Sequence, residues 1–162
     1  MTYDDRFPNR KSPRIRHYDY STPNYYFVTI CTWNKRCLFG SSHHLNTYGK
    51  IAEQGIHEMV THFPTIKINK FVVMPNHIHA IIVLNGNVNL PTIIGLYKSY
   101  VTKQIHQYEP TLKIWQSSFH DHVIRNQAAY EKIWLYIESN PDNWNMDCFF
   151  SQSIIDSWSA GS

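Results

Sequence analysis

The stretch FVVMPNHIHAIIVL, residues 71–84, sets two apolar, β-branched runs on either side of Pro75-Asn76. Such runs favour strands, and Pro-Asn favours a turn. The stretch therefore predicts an antiparallel hairpin. Successive strand side chains point to opposite faces, so His77 and His79 share a face, roughly 7 Å apart along the strand. Ile78 and Ala80 take the other face. A segment this apolar predicts a central strand, where an imidazole must find partners or bear the cost of burial. Two such rings can grip one metal ion or share one phosphate. Ten histidines in 162 residues generate about 0.6 His-x-His pairs by chance, so the pattern alone is a weak signal. A second pair, His120 and His122, lies in a polar stretch with Ser117, Ser118 and Asp121 and can simply be solvated.

The flanking sequence supplies the other elements. YYFVTICTW, residues 25–33, is aromatic and β-branched and predicts a first strand. Leu45, Ile51, Ile56, Met59 and Val60 sit near helical spacing and predict a helix over residues 47–62, ended near Pro64. Ile94, Tyr97, Val101 and Ile105 predict a second helix with Pro91 in its first turn. IWQSSFHDHVIR reads as extended, and QAAYEKIWLYIESN as a third helix stopped by Pro141. The order β-α-β-β-α-β-α predicts an α+β, ferredoxin-like antiparallel sheet with helices packed on one face.

A chain of this length suits one domain. Residues 1–24 read as a flexible basic arm, residues 25–144 as the domain and residues 145–162 as a tail. The arm carries Arg10, Lys11, Arg14 and Arg16, and with Arg6 holds five of the 15 Lys and Arg. Solvated tails of this kind are common, and basic arms also contact phosphates. The formal charge of +3 is compatible with nucleic acid and weak support for it. Aromatic residues make up 15%, enough both to fill a core and to stack on bases. Cys31, Cys37 and Cys148 lack metal-site spacing, and an odd count without a signal peptide reads as reduced thiols in a cytosolic protein. No apolar run approaches the roughly 18 residues of a membrane span, so no membrane association is expected.

A two-histidine site needs at least a third ligand, and Asp and Glu are sparse. On the third predicted helix, Tyr136 and Asn140 are four apart and share a face. Ile133 and Ile137 form the stripe that packs the helix on the sheet. Tyr136 lies beside that stripe, and Asn140 at the helix end reads as little constrained by it. Both can face a histidine pair, though a tyrosine at this spacing is more often a core-edge residue.

MPNHIH followed by a distal helical YIESNP resembles the HUH motif (histidine, hydrophobic, histidine) and tyrosine helix of the single-tyrosine transposases of small insertion sequences. RKSPRIRHYDYSTPNYYFVTICTWNKRCLFG, LNTYGKIAEQ, LPTIIGLYKSYVTKQI, IWQSSFHDHVIRN and YIESNPDNW resemble the branch called REP-associated tyrosine transposases. The likeness covers roughly residues 10–144. It implies a metal-dependent enzyme that nicks and rejoins single-stranded, hairpin-bearing DNA through a 5′-phosphotyrosine, using Mg²⁺ or Mn²⁺. His77 and His79 would be metal ligands, Tyr136 the nucleophile and Asn140 the third ligand, a position that is typically Gln in the insertion-sequence branch. Family members act as single chains or as homodimers that exchange the last helix. Such a protein would sit in the cytoplasm, associated with the nucleoid.

Tyr97, Tyr100 and Tyr130 are rival nucleophiles. Tyr97 lies on an apolar stripe, and Trp134 occupies the position four beyond Tyr130. Lys132, one turn before Tyr136, is a candidate base. Lys98, Lys103 and Arg125 are candidate DNA-backbone contacts. Two other functions fit the same residues. One is an inactive hairpin-binding module. The other is a metal-dependent hydrolase in which the histidines activate water and Tyr136 is structural.

Overall fold

The computed structural model describes residues 24–86 and 88–144. Arg10, Lys11, Arg14 and Arg16 of the basic arm, and the tail from residue 145, lie outside the described residues. The order is β1 (Asn24–Cys31), α1 (Thr47–His62), β2 (Lys67–Met74), β3 (His77–Leu84), α2 (Leu90–Ile105), β4 (His120–Ile124) and α3 (Gln127–Ser139). The strands pair antiparallel in the order β2-β3-β1-β4. This is the split βαβ arrangement of ferredoxin-like folds.

Strand alternation divides the sheet into two faces. Tyr26, Val28 and Ile30 of β1, with Ile78, Ala80 and Ile82 of β3, meet α1 and α2 in the larger core. Phe27 and Ile81 point the other way and join Ile133 and Ile137 of α3 in a second core. The helices therefore cover both faces, not the one face that the sequence reading gave. The reason is visible in β3, buried at every position from His77 to Leu84. A strand buried on both sides carries a continuous apolar run without alternation, and that run needs a second cover.

The element boundaries have local causes. Asn46, Asn89 and Asn126 cap the three helices, accepting from the backbone N–H of Gly49, Thr92 and Ala129. Asparagine suits this role because its short side chain reaches the orphan donors of the first turn. α1 and α2 pack closely at Gly55, where a Cβ would stand 2.8 Å from the Tyr97 ring. β1 stops at Cys31, before Trp33, because the chain turns into a 3-10 segment in which Asn34 and Lys35 take positive φ. α3 gives way at Ser139 to a 3-10 turn, Asn140–Asn143. Asn140 itself keeps helical angles (φ −57°, ψ −44°), although a residue before proline usually avoids them. It is therefore more constrained than the sequence reading had it.

α3 is pinned along one flank. Lys70 of β2 ion-pairs with Glu138 and lies 4.0 Å from the centre of the Trp134 ring, and Asn69 donates to the Tyr130 hydroxyl at 3.3 Å. These half-exposed contacts contribute little each. The apolar stripe dominates, with Ile133 at 0% exposure and Ile137 at 1%. Ile133→Ala should lower the unfolding free energy by about 2–5 kcal/mol. Val60→Ala, at an exposed position on α1, should change it by under about 0.5 kcal/mol. Chemical denaturation measures both.

Candidate active site

His77 and His79 stand side by side on β3, with ring centroids 4.5 Å apart. Each has one ring nitrogen already engaged. The Asn76 amide donates to the Lys35 carbonyl at 3.2 Å, which turns its oxygen toward His77. That oxygen lies 2.7 Å from His77 Nδ1 and can only accept, so Nδ1 is the donor and Nε2 is turned away from it. On His79, Nδ1 is 2.9 Å from the Thr29 hydroxyl. Partners of this kind fix a ring's orientation and tautomer before it meets a ligand. The Pro75-Asn76 turn is itself braced. The Asn76 carbonyl accepts from the Thr32 N–H and hydroxyl, both at 3.0 Å. The Pro75 carbonyl accepts from the Phe39 N–H, also at 3.0 Å.

α3 and the turn after it cover this pair. The Tyr136 ring centroid lies 5.3 Å from that of His79 and 6.3 Å from that of Phe27, edge-on to the latter. Trp144 stacks near His77 at 6.3 Å. Asn140 falls midway in the series 136, 140, 144, so residues spaced by one helical turn run across the two histidines. His77 is 5% exposed, His79 0% and Asn140 1%. Both polar atoms of the Asn140 side chain are buried without a hydrogen-bond partner. A buried amide in that state costs free energy. Two imidazoles and an amide oxygen suit a divalent cation. Among the described residues no group of three His, Cys, Asp or Glu side chains is placed to hold one.

The structure sets His77 beside His79 and packs Tyr136 against His79, with Asn140 four residues beyond Tyr136 at the end of α3. The other candidates lie elsewhere. Tyr97 is in the larger core, its hydroxyl donating to the Ala52 carbonyl at 2.8 Å, and burial pushes its phenol well above the usual range. Tyr100 packs on the same core, its phenol raised by burial and by Glu58. Tyr130 sits edge-on to Tyr25 at the far end of α3. Lys132 is exposed. The Lys98 ammonium donates to the carbonyls of Gln116 and Ser118, at 2.8 and 2.9 Å. Lys103 lines a groove between α1 and α2, on the opposite side of the sheet. Arg125 lies beside the start of α3, on the histidine side.

Sequence reading missed three contributors. Thr29 and Asn76 hold the histidines, and the available signal was a polar residue inside an apolar strand and an amide directly before His77. The third is β4. His120 is in register with Thr29, and His122 with Phe27, so the second histidine pair shares the face of the first. Only strand pairing reveals that.

Residues 21–140 match the family model described as transposase IS200 like. An uncharacterised protein of Haemophilus influenzae is 32% identical over 171 residues, covering 90% of this chain and 95% of that protein. A structure of a REP-associated tyrosine transposase bound to a REP hairpin superposes with a TM-score of 0.60 at 28% identity, over 80% of this chain and 73% of that one. A provisionally described transposase of Deinococcus radiodurans shares the fold, with a TM-score of 0.53 at 16% identity, over 78% of this chain and 95% of that one. Among the described residues no helix is long and apolar enough to cross a membrane. The chain belongs to the IS200-like transposase family, and it resembles the REP-associated tyrosine transposases in sequence and fold.

Proposed function

We propose that this protein cleaves and rejoins single-stranded, hairpin-bearing DNA with Tyr136 as nucleophile. The observation that carries the reading is the packing of Tyr136 against His79, with the unpartnered amide of Asn140 four residues further along the chain. The likeness to a transposase bound to a REP hairpin supports hairpin DNA as the substrate.

The Tyr136 oxygen attacks the phosphorus of a phosphodiester. A bond forms between that oxygen and phosphorus as the bond to the 3′ oxygen breaks, which leaves a 5′-phosphotyrosine and a 3′-OH. The phenol proton is lost and the leaving 3′ oxygen gains one. At a usual tyrosine pKa of about 10, ionising the phenol at pH 7 costs on the order of 4 kcal/mol, so the site must favour the anion as attack proceeds. Joining is the reverse, with the 3′-OH of a second strand attacking the phosphotyrosine. The ester conserves the bond, so no external energy source is required. A divalent cation, Mg²⁺ or Mn²⁺, held by Nε2 of His77, Nε2 of His79 and Oδ1 of Asn140 would supply charge neutralisation at the phosphate. Thr29 and Asn76 keep those nitrogens aimed. Because the histidines are buried beneath Tyr136 and Trp144, the phosphate must displace part of that cover to reach them.

Incubation with hairpin DNA and Mg²⁺ or Mn²⁺ should give a protein–DNA adduct that survives denaturation, and Tyr136→Phe should abolish it while DNA binding persists. An adduct in the variant would rule Tyr136 out. Cleavage with no adduct would point to a hydrolase, and binding with no cleavage to an inactive module. Replacing the buried amide by Asn140→Leu should raise the unfolding free energy in chelator by about 1–3 kcal/mol, the cost of an unsatisfied polar group. The same change should abolish stabilisation by Mn²⁺ in thermal melts. A loss of stability in chelator would mean that the amide is structural.

A further inference from the structure

On the histidine side of the sheet, at the start of α3, a concave cavity of about 500 Å³ is lined by Asn24, Tyr25, Asn69, Arg125, Gln127 and Tyr130, among others. We infer that this cavity is a nucleotide subsite that takes one unpaired base of the DNA strand whose phosphate meets Tyr136. The inference rests on the proposed strand-cleaving function and adds a position at which the strand is gripped.

The lining matches a nucleotide part by part. Tyr25 is 42% exposed, although it stands on a central strand beside core residues. Its ring is held by the Tyr130 ring, 5.8 Å away at an interplanar angle of 86°. A base has a π-face whatever its sequence, and stacking on an aromatic side chain is the common way of holding an unpaired one. The amides of Asn69 and Gln127 offer donors and acceptors of the kind that read base edges. Arg125 is the cation in the lining, and none of the lining residues is acidic, which suits a phosphate. The wall is built rather than incidental. Asn69 donates to the Tyr130 hydroxyl, and Asn126 is fixed by capping α3 through the Ala129 N–H at 2.8 Å. The volume falls within the roughly 300–1,000 Å³ of small-molecule sites.

Position completes the argument. Tyr25, Phe27 and Thr29 share one face of β1. Phe27 touches Tyr136, and Thr29 holds His79. Tyr25 is four residues from Thr29, about 13 Å at 3.3 Å per residue. A strand leaving the scissile phosphate along α3 reaches the cavity within a few nucleotides. A base seated there is unpaired, so the cavity discriminates single-stranded flank from duplex.

The test uses the full-length protein and hairpin DNA whose single-stranded flanks carry one abasic position at a time, read by fluorescence anisotropy. One abasic position, within a few nucleotides of the cleaved bond, should weaken binding about tenfold, the scale of one lost base–aromatic stack. Tyr25→Ala should weaken intact DNA by a similar factor. Combined, the two changes should be no worse than either alone. Tyr25→Phe should restore both affinity and the abasic effect, which separates stacking from a folding defect. Multiplicative losses at every position, or unchanged binding by a folded Tyr25→Ala, would overturn the subsite. A free deoxynucleoside monophosphate bound as tightly as the strand would overturn the assignment to DNA. The Tyr136 adduct is scored on the same DNA. Coupling without an adduct removes the cleavage mechanism and keeps the subsite, whereas an adduct without coupling removes the subsite alone.

Discussion

The docking of α3 on the second face of the sheet is the contact on which the site depends. The larger core closes without it, because α1 and α2 cover Tyr26, Val28, Ile30 and their β3 neighbours. The opposite face buries Phe27, Ile81 and Ile124 against Ala129, Ile133 and Ile137, with Val72, Tyr130, Trp134 and Tyr136 packed beside them. On β3 the histidines follow this apolar patch. Past Ile81 toward the turn, the inward positions of β3 are His79 and His77. Past Ile137, the inward position of the chain is Asn140. The same interface is therefore apolar at one end and polar at the other, and the apolar end fixes the register of the polar one.

The polar end is maintained against stability. An imidazole at 0% exposure, a second at 5% and an amide at 1% each bear the cost of burying a polar group. The chain surrounds them with partners that orient them. Thr29 serves His79, Asn76 serves His77, and the loop from Thr32 to Phe39 serves Asn76. Such layering fixes the rings before any ligand arrives, and under the proposed function it would leave little reorganisation for the chemical step. Asn140 is the exception among them, because its amide has no protein partner. In the proposed mechanism this unserved amide is the group that a bound cation would satisfy.

Much of this was legible in the sequence because it is local. The hairpin follows from β-branched runs about Pro75-Asn76, and the shared face of His77 and His79 from a period of two. The alignment of Tyr136 with Asn140 follows from a helical turn. The asparagine caps Asn46, Asn89 and Asn126 were local signals too, but the helices were placed by apolar spacing and by proline instead. What stayed hidden depends on which strands pair and on which side a helix packs. Nothing within HDHVI says that His120 will lie beside Thr29, or that His122 will lie beside Phe27. The placement of α3 opposite α1 and α2 was encoded in the unbroken apolarity of β3, a signal that was read as centrality but not as burial on two sides. Lys98 shows the same limit. A lysine on an amphipathic helix reads as surface charge, yet its ammonium binds two carbonyls of a loop eighteen and twenty residues away.

The composition takes on a different meaning once the faces are assigned. A net charge of +3 is modest for a protein that must hold a polyanion. Within the described residues, two of the cations are already occupied by protein. Lys70 is paired with Glu138, and Lys98 with backbone carbonyls. Lys103 faces away from the histidines. The histidine side is instead rich in rings, with Tyr25 and Tyr130 at one end, Tyr136 against His79 in the middle and Trp144 over His77. Fixed cations attract duplex and single strand alike, because both present phosphates. Exposed rings favour the single strand, whose bases can leave one another to stack on protein. Under the proposed function, a face with more rings than free cations would favour the unpaired form of the DNA, and Tyr136 would meet a backbone that no partner strand shields.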